Sequence, residues 1–250
     1  MNILLTNDDG IYAEGIYALW AELSKIGNVT VVAPDSERSA VGHAITMSAP
    51  LRVKDAYRRM NYFGYAVSGT PADCVKIAVL SILKKKPDIV VSGINHGPNV
   101  GLSALYSGTV SGATEGAILG MPAIAVSLAT FKNPDFSVAA SFAAKAAKNV
   151  YEKGLPKGTF LNINVPAKSA KQIKGVRITK QGKTPIFEKF DKRIDPHNNT
   201  YYWLSGETIN LKADKDSDII AIKNDYISVT PLQYDLTDRC MINELSKWKL

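Results

Sequence analysis

Asn2-Ile3-Leu4-Leu5-Thr6-Asn7-Asp8-Asp9-Gly10 decides how the rest of the chain is read. A short apolar run delivered straight into a polar, glycine-ended tetrapeptide is the pattern of a strand covered on both faces that stops in a tight turn. A helix-like segment from Tyr12 to Lys25 follows, and then a second strand-like run from Val29 to Ala33. This is the βαβ rhythm of a parallel sheet. Asp8 and Asp9 therefore stand side by side where the first strand ends. Adjacent carboxylates repel and raise each other's pKa unless a cation lies between them. Hard oxygen donors of this kind suit Mg²⁺, Mn²⁺ or Ca²⁺. The alternative is plainer, with Asp9 capping the next helix and Asp8 a solvated turn residue.

The rhythm continues along the chain. Asp88 to Val91 and Ala123 to Ser127 are further apolar, β-branched strands, entered at Pro87 and Pro122. Helices fit Pro71 to Leu83, Thr109 to Leu119 and the alanine-rich Phe136 to Tyr151. After Phe160-Leu161-Asn162-Ile163-Asn164-Val165-Pro166 the pattern changes. Strands near Gly175 to Lys180 and Tyr201 to Leu204 flank Lys183 to Thr200, a charged stretch with no helical period that reads as an extended arm or hairpin. A strand at Tyr226 to Thr230 and a helix around Leu236 to Trp248 close the chain. With no repeat and no flexible linker, residues 1–250 read as one α/β domain. Within it, 1–166 form the core and 167–250 an elaborated extension.

Composition narrows the classes. A chain of 250 residues that is 46% hydrophobic can bury a large core. No apolar stretch approaches the roughly 18 residues of a membrane span. The start lacks the regions of a signal peptide, and Cys74 and Cys240 form neither a disulfide framework nor a thiolate metal signature. The expectation is a reducing cytoplasm and no membrane partner. The net charge of +7 favours anionic ligands. The basic stretches lack any nucleic-acid module, so no nucleic-acid partner is expected.

In open parallel sheets, ligands bind beyond the carboxyl ends of the strands. Three polar segments stand there: Asn7 to Gly10, Pro34 to His43, and Ser92 to Gly101. The last two exceed the usual connector of about 2–6 residues, and long loops at strand ends carry function. Next comes Tyr106-Ser107-Gly108-Thr109-Val110, opening the helix that holds Glu115-Gly116. Ser107, Gly108 and Thr109 there offer N–H groups and hydroxyls to a phosphate at a helix N-terminus. The alternative is that Ser107 or Thr109 only caps that helix. Carboxylates and a phosphate cradle at one sheet edge suggest metal-assisted phosphoryl chemistry. The elbow of a serine hydrolase and the glycine fingerprint of a nicotinamide enzyme are both absent.

These motifs resemble the SurE family of stationary-phase survival nucleotidases. The likeness rests on Asn7-Asp8-Asp9-Gly10, Gly69-Thr70-Pro71-Ala72-Asp73-Cys74-Val75, Ser92-Gly93-Ile94-Asn95 and Tyr106-Ser107-Gly108-Thr109-Val110. It extends through Asn162-Ile163-Asn164-Val165-Pro166, Thr200-Tyr201-Tyr202-Trp203 and Val229-Thr230-Pro231-Leu232. The resemblance implies a Rossmann-like three-layer core whose C-terminal arm and helix are exchanged between subunits, giving a homodimer and in some members a tetramer. It implies a phosphomonoesterase acting on nucleoside 5′- and 3′-monophosphates, in some members also on short polyphosphate. One divalent ion per subunit, Mg²⁺ or Mn²⁺, would be held by Asp8, Asp9, Ser39 and Asn95. Where many members carry an acidic residue, this chain reads Leu102-Ser103-Ala104-Leu105, and no catalytic weight is placed there.

The expected catalytic residues are Asp8 and Asp9, with Asn95, Ser107, Gly108 and Thr109 on the phosphate. Water is the expected nucleophile, because a carboxylate bound to metal is a poor one; an aspartyl phosphate on Asp9 is the alternative route. His43 and His96 receive no role. The competing function is a non-catalytic nucleotide sensor using the same pocket.

Overall fold

The side chains of the first strand alternate between two buried layers, and the architecture follows from that alternation. The computed structural model describes residues 1–183, 186–208 and 214–248. In chain order its elements begin β1 (Asn2–Thr6), α1 (Glu14–Leu23), β2 (Asn28–Pro34), β3 (Val53–Arg58), β4 (Asn61–Val67) and α2 (Pro71–Ile77). They continue through β5 (Ile89–His96), α3 (Gly108–Ile118), β6 (Ala123–Ala129), α4 (Ser137–Lys153) and β7 (Thr159–Pro166). The last third contains β8 (Val176–Ile178), β9 (Ile186–Ile194), β10 (Thr200–Thr208), α5 (Asp218–Lys223), β11 (Ile227–Gln233) and α6 (Arg239–Leu245).

Among the described residues, nine strands form one sheet in the order β3-β4-β2-β1-β5-β6-β7-β11-β8. From β4 to β7 all neighbours are parallel, whereas β3 runs antiparallel to β4 and β11 antiparallel to β7, with β8 added parallel to β11. Ile3 and Leu5 of β1 pack with Ile16, Leu19 and Leu23 of α1 and the alanines of α4 on one face. Leu4 packs with Val75 of α2 and Val110 and Ala113 of α3 on the other. The result is a Rossmann-like three-layer α/β core. Ala139, Ala140, Ala143, Ala144 and Ala147 form the buried stripe of α4, their small side chains letting that helix lie close to the sheet.

Several expectations change in detail. Residues 92–96 are strand rather than loop: after a register break between Ser92 and Asn95, Asn95 and His96 pair with Ser127 and Leu128 of β6. The loop after β2 is longer than expected and reaches to β3, and the β3–β4 hairpin and α5 were not foreseen. The helix starting at Pro71 ends its last turn as a π-helical stretch, Ala78–Ile82.

The segment after residue 166 is not set apart from the core. It adds β11 and β8 to the main sheet, while β9 and β10 form a separate two-stranded ribbon. The extended reading of residues 183–200 fits that ribbon, although Thr184 and Pro185 lie outside the described residues. So do residues 209–213 and 249–250 of the expected extension. Among the described residues no helix is long and apolar enough to cross a membrane.

Candidate active site

The strand order reverses at β1, which has β2 on one side and β5 on the other. Crevices form where the connections of a doubly wound sheet part in this way. Asp8 and Asp9 follow β1, Asn95 and His96 end β5, and the N-terminus of α3 faces them across a cavity of about 470 Å³. Asp8, Asp9, Ser39, Asn95 and Ser107 all line it, together with Glu37, Ser103, Tyr106 and Phe131. Four sequence-distant segments thus meet at one sheet edge. Gly108 and Thr109 do not line the cavity.

Asp8 is almost wholly buried, at 5% exposure. Burial pushes its carboxyl up to about 6, and repulsion from Asp9 adds to the rise. The hydrogen bond from the Thr109 hydroxyl opposes it, helped by the Thr109 backbone N–H. Asp8 is also tied through its carbonyl, which accepts from the Arg38 N–H at 2.7 Å. Gly108 explains how α3 comes so near: a Cβ there would stand 2.7 Å from the Asp8 Cβ. Asp9 is raised as well, first by burial and then by the Glu37 carboxylate, against the His96 N–H that donates to it at 3.2 Å.

The neutral donors are prepared by their neighbours. The Ser39 hydroxyl donates to Glu37, which leaves its lone pairs for an electrophile. The Asn95 side-chain N–H₂ is committed to the Gly97 carbonyl at 2.7 Å. Its oxygen accepts no hydrogen bond among the described residues. The Ser107 hydroxyl accepts from the Val110 N–H at 3.1 Å and so caps α3 while still facing the cavity. Thr109, expected on the phosphate, is fully buried with its hydroxyl turned toward the Asp8 carboxylate.

These residues suit a divalent cation. The nearby basic side chains are engaged elsewhere, Arg38 with Asp35, and His43 and Lys76 with Glu115. The buried Asp8 and the half-buried Asp9 are left without an ion-pair partner among the described residues. Among the described residues, no group of three or more His, Cys, Asp or Glu side chains is placed to hold a metal ion. The oxygens that could hold a metal are instead those of two carboxylates, a hydroxyl and an amide, a hard-oxygen chemistry that suits a divalent cation.

The long loop that carries Ser39 is held at several points. His43 Nε2 donates to the buried Glu115 at 2.8 Å, the Gly42 N–H to the Tyr106 carbonyl at 2.9 Å, and the Thr46 N–H to Asp73 at 3.0 Å. On the other side, the Asn99 N–H donates to Asn164 Oδ1 at 2.8 Å, and its side chain to Ser127 at 2.9 Å. Asn162 and Asn164 both donate to the Asn99 carbonyl. Glu37, Tyr106, Phe131 and this asparagine network were missed from sequence. The alternation Asn162-Ile163-Asn164 in a buried strand was the available signal, because buried amides need partners.

Residues 3–188 match the family model described as survival protein SurE. The chain is 51% identical over 250 residues to the protein named 5′-nucleotidase SurE of Syntrophobacter fumaroxidans, covering 100% of both chains. It is 52% identical over 238 residues to the protein of the same name from Syntrophus aciditrophicus, covering 95% of this chain and 90% of that one. The crystal structure of the SurE protein from Aquifex aeolicus superimposes with a TM-score of 0.87 at 43% identity, covering 98% of each chain. With a family match over most of its length, relatives identical at half of all positions and the same fold, the chain belongs to the SurE family.

Proposed function

We propose that this protein is a metal-dependent 5′-nucleotidase, a phosphomonoesterase that hydrolyses nucleoside 5′- and 3′-monophosphates to nucleoside and phosphate, with short polyphosphate as a further substrate. The observation that carries the reading is the adjacent pair of carboxylates, the buried Asp8 and the half-buried Asp9, facing a ligand-sized cavity at the switch point of the sheet. In this reading Asp8, Asp9, Ser39 and Asn95 hold one Mg²⁺ or Mn²⁺ per subunit. When bound, such an ion polarises a phosphoryl oxygen and acidifies water. Thr109 keeps Asp8 ionised and aimed. Glu37 orients the Ser39 oxygen. Ser107, the residue of the Ser107–Thr109 turn that lines the cavity, receives the phosphate at the positive end of α3. Water is the nucleophile, since Asp9 is engaged with the His96 N–H and its place in the donor set. Tyr106 and Phe131, both exposed at the cavity, offer ring faces to a nucleobase.

The extension fits a self-association role. In the β9–β10 ribbon Phe190 pairs with Leu204 and stands on the same face as Tyr202 and Ile194, all exposed. A homodimer built through this arm, or a tetramer of such dimers, would cover them. In this reading 1–166 carry the site and 167–250 the oligomer contacts. The unpaired Cys74 and Cys240 fit a reducing cytoplasm.

The test is phosphate release from 5′- and 3′-nucleotides and from polyphosphate, with Mg²⁺, Mn²⁺ or a chelator. Release that needs metal supports the reading. Nucleotide that raises the melting temperature in Mn²⁺ without releasing phosphate would replace it with a sensor. Light scattering on the same preparation reads the oligomer.

A further inference from the structure

Asp218 is a fully buried carboxylate far from the proposed metal donors in sequence. Buried acids are held by partners, and this one is held by three backbone N–H groups. Its Oδ1 accepts from Gly182 at 2.9 Å and Ile219 at 2.8 Å, and its Oδ2 accepts from Gly101 at 2.8 Å. The partners come from two distant parts of the chain. Gly182 ends the segment that leads into the β9–β10 arm, and Asp218 begins α5 just after the arm returns.

The two legs of the arm are also bonded to each other. The Asp218 N–H donates to the Lys180 carbonyl, and the Lys180 N–H to the Asp216 carbonyl, both at 3.0 Å. Gly101, by contrast, belongs to the active-site loop. It is gripped from both sides, because its own carbonyl accepts from Gln181 Nε2 at 2.9 Å. Glycine suits this position: φ is +57°, and a Cβ would stand 2.9 Å from the Ile219 side chain.

Gly101 also starts the tight turn Gly101–Leu105, whose end feeds directly into Tyr106 and Ser107. Upstream, the loop is fixed to the sheet through Asn99. Downstream of Asn99, the bonds to Gly101 come from the root of the arm. We propose that Asp218 is a positioning residue that clamps both legs of the arm onto Gly101 and thereby sets the geometry of the Tyr106–Ser107 turn at the active site. A load on the arm, a second copy of this chain included, is then felt where the substrate phosphate is received. The inference rests on the functional reading above, in which Ser107 serves the phosphate.

The substitution Asp218→Asn separates the two connections. An amide keeps one acceptor oxygen, and two of the three N–H groups converge on Oδ1. The variant retains Gly182 and Ile219 by placing its oxygen there, and turns an N–H₂ toward the Gly101 N–H. In the full-length variant, hydrogen exchange of metal-free protein should quicken about tenfold across the segment after Gly101 and stay unchanged in β1 and α4. The kcat for a nucleoside monophosphate should fall about tenfold with saturating Mn²⁺, with the oligomer intact. Unchanged exchange in that segment, quickened exchange throughout the protein, or faster exchange with an unaltered kcat each overturns the proposal. If Asp218→Asn does not fold, Gln181→Met, which removes only the bond to the Gly101 carbonyl, carries the same exchange and kcat measurements. A wild-type protein that releases no phosphate refutes the functional reading instead, and exchange alone then decides whether Asp218 holds the loop.

Discussion

The Thr109 hydroxyl, 101 residues along the chain from Asp8, donates its hydrogen bond to the buried Asp8 carboxylate. That bond counters the rise that burial imposes on the acid. Thr109→Val removes it at nearly constant volume, so the Asp8 pKa climbs further. Mn²⁺ affinity near neutral pH should drop about 10–100-fold, the usual cost of losing a partner behind a metal ligand. The acidic limb of the rate profile should move to higher pH. Thr109→Ser should retain most of the affinity. Calorimetric titration of Mn²⁺ into each variant measures the difference, and equal affinities for wild type and Thr109→Val would reject the role.

Metal-free protein has a pH dependence of predictable sign. The Asp8 carboxyl is raised from 3.8 to about 6. Between those values the folded protein keeps a proton that the unfolded chain has lost. Stability therefore falls as pH rises through this window and stays lower above it, by about 3 kcal/mol at most. Asp8→Asn removes the burden. In chelator at pH 7.5 the variant should melt several degrees above wild type, with the gap closing toward pH 4. The same substitution should lower kcat by orders of magnitude when metal is supplied. A variant that melts below wild type at pH 7.5 would contradict this account.

Asn95→Ala deletes one neutral donor of four and frees the Gly97 carbonyl. Metal affinity should weaken, by a smaller factor than in Asp8→Asn or Asp9→Asn, with the melting temperature of the metal-free protein little altered. Electron paramagnetic resonance of free Mn²⁺ gives the affinities directly. Loss of the folded state would instead make Asn95 a structural residue.

Phe131 is 74% exposed at the cavity mouth, where its ring is open to a flat ligand. If a base stacks there, Phe131→Ala should raise KM for AMP by the factor that corresponds to about 1–3 kcal/mol. The KM for ribose 5-phosphate, which has no base, should stay constant. Parallel changes for both substrates would move the base elsewhere.

What the sequence made legible was whatever the core decides. β1, α1, β2, α3, β6 and α4 are buried on regular faces, so their periodicity survives in the apolar pattern. The β3–β4 hairpin escaped because Val53, Lys54 and Asp55 are exposed and alternate poorly. α5 escaped because its six residues are too few to show a period. Residues 92–96 read as loop because Ser92, Gly93 and Asn95 look like turn formers, yet their strand is stabilised by pairing with β6, a long-range contact. Of the expected site residues that line the cavity, Asp8 and Asp9 stood out at a strand end and Ser107 at a helix start, whereas Ser39 and Asn95, in segments read as loops, were named through the resemblance to the SurE family. The bond from Thr109 to Asp8 was not foreseen, since nothing local says that a hydroxyl there will meet the aspartate that follows β1. Glu37 was likewise visible only as one more loop acid.

The hydrogen-bonded pairing of β1 with β5, which sets Thr6 opposite Ser92, acts as a ruler for the proposed donor set. Asp8 and Asp9 belong to one side of that ladder and Asn95 to the other, so the gap between them derives from a strand spacing of about 4.8 Å. Loop substitutions near Ser39 can loosen or tighten an ion. They leave that span unchanged. A shift in the preferred cation radius would therefore demand a new register at the Ser92–Asn95 break, an alteration of backbone rather than of side chains.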